Sequence, residues 1–456
     1  MLHAISRGLN VPTTRPATDT ADANPSKSFF ISMLTRDINL ADCMLDLLDN
    51  SVDGASESNG AKKQTTGKRP YAGKTVKLSF DQNHFTIEDN SGGIAIEAAK
   101  HYAFRFGRPD EAPDLKAGSI GLYGIGMKRA MFKMGNVVHL VTSTGKESFE
   151  LQLNVDRWRR DDQNKDWTFE LKKIVHSGTT VPMGTKITIS ELYPAVAREF
   201  KNPHFVSSLI RSVSRDYAFI LSQGLKVELN GRKLSETLPT IRESDDFVAF
   251  RHRDKLDGVS IEIMAGFADS PPDDISATGK YPEVEAYGWY VVCNDRVVVT
   301  ADKSALTGWG QDPVPTWHPQ FGGFMGVARF DASDPRKLPW KTTKRDVETS
   351  SAVYQHALTM MLEATKKFTD YTNKRRAESK KAKRLEKKAK AKPVTRLTKD
   401  TQFKFPEFGG DTVAIEYVKD RREVEDVAEA LKLRGASPSE VGIRTFDYFF
   451  EREVRK

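Results

Sequence analysis

Apolar residues recur at helical spacing from Phe29 to Ala55. Ile38, Ala41, Met44, Leu45, Leu48, Val52 and Ala55 share one side and predict a long amphipathic helix. The next apolar runs are short and alternate. TVKLSF (75–80) and HFTIED (84–89) read as strands, with the loop NGAKKQTTGKRPYAG (59–73) ahead of them. Ala95 to Arg105 has a helical pattern. Gly107 to Ser119, with two Pro and two Gly, reads as a mobile segment, and a further helix is predicted around Met127 to Met134. VVHLVTS, SFELQLNV, WTFELKKIV and TKITISEL then follow as strands, so helices and antiparallel hairpins predict an α+β domain over 28–197. A helix from about Phe205 to Leu221 opens a second unit, 198–350. It continues through KVELNGRKL, VSIEIMAGF and GWYVVCNDRVVVT and ends after LPWKTTKRDV. Tyr354, Leu358, Met361, Thr365 and Phe368 make one helical face, with a basic linker behind it to 399. TVAIEYV, REVEDVAEALKLRG and SPSEVGIRTFDYFFEREV predict a small β-α-α module over 400–456. Residues 1–27, rich in Thr, Pro, Ala, Asn and Asp, read as a flexible arm.

Composition narrows the class. The 456 residues are 38% hydrophobic and 29% charged, enough for sizeable cores. No run approaches the ~20 apolar residues of a spanning helix, and the N-terminus lacks the apolar centre of a signal peptide. Cys43 and Cys293 stand far apart, which excludes a disulfide scaffold and a structural zinc site and predicts a reducing compartment. The expectation is a soluble intracellular protein away from any membrane, cytoplasmic in a bacterium or nuclear in a eukaryote. The net charge of +8 is local: thirteen Lys or Arg against Glu378 and Glu386 give +11 over 374–399, leaving −3 elsewhere. Such a segment suits a polyphosphate backbone and equally a solvated Ala/Lys helix.

Four elements carry candidate chemistry. Asp46 and Asn50 lie four apart on the first helix, and Asp42, Asp49 and Asp53 extend their stripe, which by itself reads as the wet side of an amphipathic helix. Asp89 closes a strand before Asn90-Ser91-Gly92-Gly93; a carboxylate there can accept from an exocyclic amine. GSIGLYGIGMKRA (118–130) puts four glycines ahead of a helix start, a backbone anion site with Lys128 beside it. It is neither a Walker A loop nor a Rossmann fingerprint, since Arg129 stands where the latter needs its third glycine. Gly184-Thr185-Lys186-Ile187 enters a strand.

In this order and spacing the four elements resemble the GHKL ATPases, which include gyrase B subunits, MutL, the large heat-shock chaperone, histidine kinases and MORC proteins. IGLYGIGMKRA looks most like the MORC-type branch and related bacterial ATPases. The resemblance covers about 28–195 and implies a Bergerat fold, with helices layered on a mixed sheet, that binds ATP and Mg2+. It implies that Asn50 ligates Mg2+ and that Asp89 reads adenine, with Gly93 and Thr185 beside the base. Gly121, Tyr123, Gly124, Gly126 and Lys128 would form the lid over the phosphates. Asp46 falls where most of the family carries a water-polarising glutamate, one C–C bond or about 1.5 Å longer. Ser91 replaces the first glycine of the usual adenine motif. The second unit looks like the transducer domain, an α/β domain from which a lysine reaches the γ-phosphate; Lys344 matches best, with Lys341 as runner-up.

This reading predicts an ATPase clamp that forms a homodimer with ATP and acts on DNA through 374–399, in DNA processing or bacterial defence, alongside a separate nuclease or other partner protein. The competing expectation is a chaperone-like clamp on protein clients. A histidine-kinase-like phosphotransferase is disfavoured by the missing phosphoacceptor region.

Overall fold

The long helix expected from Phe29 to Ala55 is two helices. α1 (Lys27–Arg36) stops at Asp37, and α2 (Leu40–Ser58) starts where the Asn39 side chain accepts the Asp42 N–H at 2.8 Å. That N-cap halts one helix and opens the next although the apolar spacing runs on through it. The computed structural model describes residues 25–58, 70–107, 120, 124–160, 167–272, 286–341, 343–397, 399–408, 415–433 and 435–455. The chain divides into two units between Pro406 and Glu407.

In the first unit β1 (Thr75–Phe80) and β2 (His84–Asp89) form a hairpin, and α3 (Ile96–Ala98) runs into a π-turn, Ala99–Ala103. α4 (Gly126–Met134) leads directly into β3 (Gly135–Ser143), followed by β4 (Ser148–Asn154), α5 (Val155–Arg160), β5 (Leu171–Val175) and β6 (Gly184–Leu192). Alternate strand residues, among them Leu78, Phe85, Ile87, Leu140 and Ile189, are buried beneath the helical layer, as period-two patterning requires. α6 (Pro194–Phe200), α7 (Pro203–Asp216) and α8 (Ala218–Ser222) then carry the chain back across the sheet. This crossover lets β7 (Lys226–Leu229) lie parallel to β1, with Val227 opposite Val76. With β8 (Arg232–Lys233) it completes a mixed eight-stranded sheet ordered β5-β4-β3-β6-β2-β1-β7-β8. KVELNGRKL, read from the sequence with the second domain, thus extends the first sheet.

The second sheet follows β9 (Thr240–Glu243). It comprises β10 (Phe250–Leu256), β11 (Val259–Phe267), β12 (Gly288–Cys293), β13 (Arg296–Asp302) and β14 (Phe324–Ala332), ordered β10-β11-β14-β12-β13. α9 (Ala352–Arg375) packs across it, and Thr365 Oγ1 accepts the buried Trp289 indole N–H at 3.0 Å. Phe219 of α8 joins Ile241, Met264, Val292 and Val327 in one core, tying the crossover helices to the second sheet.

The segment expected as a basic linker is folded. α10 (Ser379–Lys388) turns back on α9, and β15 (Lys390–Pro393) pairs antiparallel with β9. The pin is a buried ion pair: Arg375 Nε and Nη2 donate to the two Glu386 oxygens at 2.7 and 3.1 Å, and Tyr371 adds its hydroxyl at 2.6 Å. The other twelve cations of 374–399 are exposed.

The second unit holds α11 (Arg421–Ala430) and α12 (Pro438–Phe449), N-capped by Asp420 and Ser437. The strand expected at TVAIEYV is absent from 415–418, where Ile415, Tyr417 and Val418 are exposed; no described strand of this unit offers them a ladder. Residues 412–414 lie outside the described residues. No described helix is long and apolar enough to cross a membrane.

Candidate nucleotide site

One end of the site is built by β2, β6 and α2. Asp89 is the last residue of β2, where pairing with Thr185 at the start of β6 fixes its direction. Its Oδ1 accepts the Ser91 and Thr185 N–H groups at 2.9 and 3.2 Å, and Oδ2 accepts the Ser51 hydroxyl at 2.7 Å. Burial raises its pKa, and these hydrogen bonds offset that only in part. Three donors leave room on a carboxylate for a fourth, such as an exocyclic amine. Ser91, which departs from the glycine pattern, is buried with its hydroxyl on the Ser51 carbonyl at 2.9 Å, so it ties the turn to α2. Gly93 is required: at φ 67° an added Cβ would sit 2.0 Å from the Ser143 carbonyl oxygen. Thr185 Oγ1 lies 2.9 Å from Thr142 Oγ1.

The other end is built on the carboxylate stripe of α2, which is not wet: Asp46 is 8% and Asp49 1% exposed. Arg129 of α4 donates to Asp46 Oδ2. Lys344 reaches Asp49 Oδ2 at 2.7 Å and stands 3.9 Å from Asp46 Oδ1. Asp49 Oδ1 also accepts the Tyr217 hydroxyl at 2.6 Å and Arg296 Nε at 3.3 Å, while Arg345 joins Asp42, at 2.7 Å, to Asp216. Burial pushes Asp46 up, and Lys344 and Arg129 offset this only in part, so it stays raised. Burial pushes Asp49 the same way, yet Lys344, Arg296 and the Lys344 and Tyr217 hydrogen bonds win and hold it below the usual carboxylate range. Backbone contacts pin the residues that flank Lys344. Trp340 bridges Val347, the Lys341 N–H donates to the Asp346 carbonyl at 3.0 Å, and Lys344 takes the left-handed region at φ 54°. Lys341, the alternative, points away and pairs with Asp346.

Asn50, next to Asp49, is exposed where residues 43–49 are all buried, so its amide faces the opening. Asp53 Oδ1, one turn further, accepts the Ile120 N–H at 2.7 Å. Between the two ends α2 therefore touches the hairpin, the glycine segment and the second sheet.

Residues 38–181 match the family described as histidine kinase-, DNA gyrase B-, and HSP90-like ATPase. A GHKL ATPase domain is present. No curated protein matches the sequence. The domain supports ATP binding and hydrolysis as the general activity. The residues present fit the nucleotide and its metal: a partly satisfied acceptor at Asp89, a backbone cradle at Gly93, and an exposed amide oxygen at Asn50. Among the described residues no three His, Cys, Asp or Glu side chains converge to hold a metal unaided. Magnesium that arrives on phosphates needs only one or two protein oxygens.

Gly121 and Tyr123 lie outside the described residues, as does Gly107–Ser119 from residue 108 on. Gly124, in the left-handed region at φ 64°, and Gly126 lead into α4 of the ATPase domain. A Cβ on Gly126 would stand 3.1 Å from Asp46 Cγ, so α4 begins in contact with that carboxylate. Lys128 departs from expectation. It is buried, and its ammonium donates to the Ala103 carbonyl in the π-turn at 2.9 Å. Burial lowers its pKa to about 8. Its helical phase explains this: two positions past Gly126, its side chain points under α4.

Sequence reasoning missed Arg129, Ser51, Tyr217, Arg296 and Asp216. Arg129 had a signal, a cation where small residues crowd. Arg296 and Tyr217, in a strand start and a helix junction far along the chain, had none.

Proposed function

We propose that the protein is a Mg-dependent ATPase whose nucleotide state governs a clamp, two copies joining when ATP is bound, with DNA as the captured substrate. The observation that carries the reading is Lys344, delivered by the second-sheet region to the buried face of α2 beside Asp46. Asp89 would accept the adenine amine while Thr185 and Gly93 flank the base. Asn50 would hold the magnesium, which supplies charge neutralisation on the phosphates. Asp46 would take a proton from water as its oxygen bonds to the γ-phosphorus and the bond to the β–γ bridging oxygen breaks. Lys344, moved from Asp49 to the γ-phosphate, would stabilise the charge developing there. Such a lysine ties hydrolysis to the placement of the second sheet, as a clamp needs, in the manner of transducer domains of MORC-type and related proteins.

DNA is favoured by the twelve exposed cations of 374–399, which the Arg375–Glu386 pair fixes on a folded hairpin. Light scattering of wild type and Asn50→Ala with a non-hydrolysable ATP analogue and Mg2+ tests the clamp: mass should double in wild type alone. A mass that never responds sinks the clamp. DNA retention that is insensitive to salt, or that survives neutralisation of the exposed lysines of α10, moves the substrate from DNA to protein clients.

A further inference from the structure

Asp46 cannot serve water as it is placed. One oxygen carries the Arg129 guanidinium, the other faces the Lys344 ammonium at 3.9 Å, and the start of α4 at Gly126 packs against its carbon atoms. A base must be within hydrogen-bond reach of the water it deprotonates. Arg129 Nε is buried and finds no partner among the described residues, so the guanidinium makes an end-on contact and forgoes its two-pronged grip. The pair is held, yet incompletely satisfied.

We propose that Arg129 is a positioning residue that restrains hydrolysis, keeping Asp46 occupied until α4 shifts. The inference rests on the reading of Asp46 as the base. Its logic is positional. Arg129 belongs to the first turn of α4, and that helix directly continues the glycine segment expected to close over phosphates. A shift of that helix would lift Arg129 from the carboxylate. The lost carboxylate contact is then replaced by phosphate charge, which the orphaned Nε can also meet. Lys344 repeats the arrangement, its ammonium resting on Asp49. In the resting protein the α2 carboxylates thus stand in for the anion that the two cations await.

The groups facing Asp46 are Cys43 and Asp49 on α2, Arg129 on α4 and Lys344 on the 341–347 loop, with Asp42 and Lys133 further out around Cys43. Removing one cation from this set raises the pKa of Asp46 and frees an oxygen. Full-length wild type, Arg129→Met, Arg129→Gln and Arg129→Lys should be compared by steady-state ATP hydrolysis from pH 5 to 9, with analogue binding and ATP-free melting measured in parallel. The Met and Gln variants should turn over roughly threefold to tenfold faster at saturating ATP, with the acid limb of kcat moved up by roughly one pH unit. Arg129→Lys should keep the wild-type limb. Variants that melt normally and bind the analogue, yet turn over no faster or keep the limb in place, overturn the restraint. If Met alone fails to fold, Gln and Lys decide. If wild type and every variant bind no nucleotide, the reading of the site falls, and the restraint with it.

Discussion

The two ends of the site are made differently. Around Asp89 the partners come from α2 and the first sheet: the Ser51 hydroxyl, and the backbone N–H groups of Ser91 in the turn after β2 and of Thr185 at the start of β6. Around Asp46 and Asp49 the partners are the Tyr217 hydroxyl and long charged side chains from α4, β13 and the 341–347 loop, and the nearest is 83 residues away in sequence. The Asp89 end is complete once the first sheet and α2 pack together. The Asp46–Asp49 end is complete only when the second sheet is seated, and it rests on ion pairs. One end is local, and the other is assembled from distant parts of the chain.

The sharpest way to break that contrast is Asp49→Ala. It strips the buried Lys344 ammonium of its 2.7 Å partner and Arg296 of one of its two carboxylates, a loss of about 3–5 kcal/mol. Urea unfolding should show it, and a loss below ~1 kcal/mol would mean that water reaches these cations and the seating is loose. Asp89→Asn should leave stability nearly untouched and weaken ATP binding by roughly tenfold to a hundredfold, one hydrogen bond to a charged acceptor being worth about 1.5–3 kcal/mol. Calorimetry with ATP checks this, and undiminished affinity would remove Asp89 from base reading.

Acid separates the two ends with a smaller effect. Asp49 and Asp216 are held below their ordinary value of 3.8, against burial, by Lys344 and Arg296 in one case and by Arg296, Arg215 and Arg345 in the other. The stability they contribute is fully present above 3.8 and is lost as pH falls through their lower folded values. Asp89 is raised above 3.8 by burial, so it takes up its proton first on acidification, which relieves that burial and slightly favours the fold. Nucleotide affinity should therefore decline at a higher pH than the melting temperature does. Coincident declines would place both carboxylates in one cooperative unit.

How far this was legible in the sequence follows the same division. The placement of Asp89, Thr185 and Gly93 could be read because it depends on neighbours within a strand or a turn. The acidic stripe of α2 could not: a helix face with four aspartates looks wet until cations from residues 296, 344 and 345 cover it. A helix in the basic segment could be read, but its return onto the fold could not, since it depends on the Arg375–Glu386 pair and on the pairing of β15 with β9. Lys128 was misread in direction because spacing gives the helix and leaves the rotation of that helix to its packing.

The parallel pairing of β7 with β1 also bears on how the chain can be cut. A fragment ending after Leu192 would keep every motif of the ATPase domain and still lack the strand that covers β1. Its β1 would offer Val76 and Leu78 on a bare edge, an open template for another chain. The smallest piece worth expressing therefore runs at least through Lys233, and a shorter one is expected to precipitate for reasons unrelated to its catalytic residues.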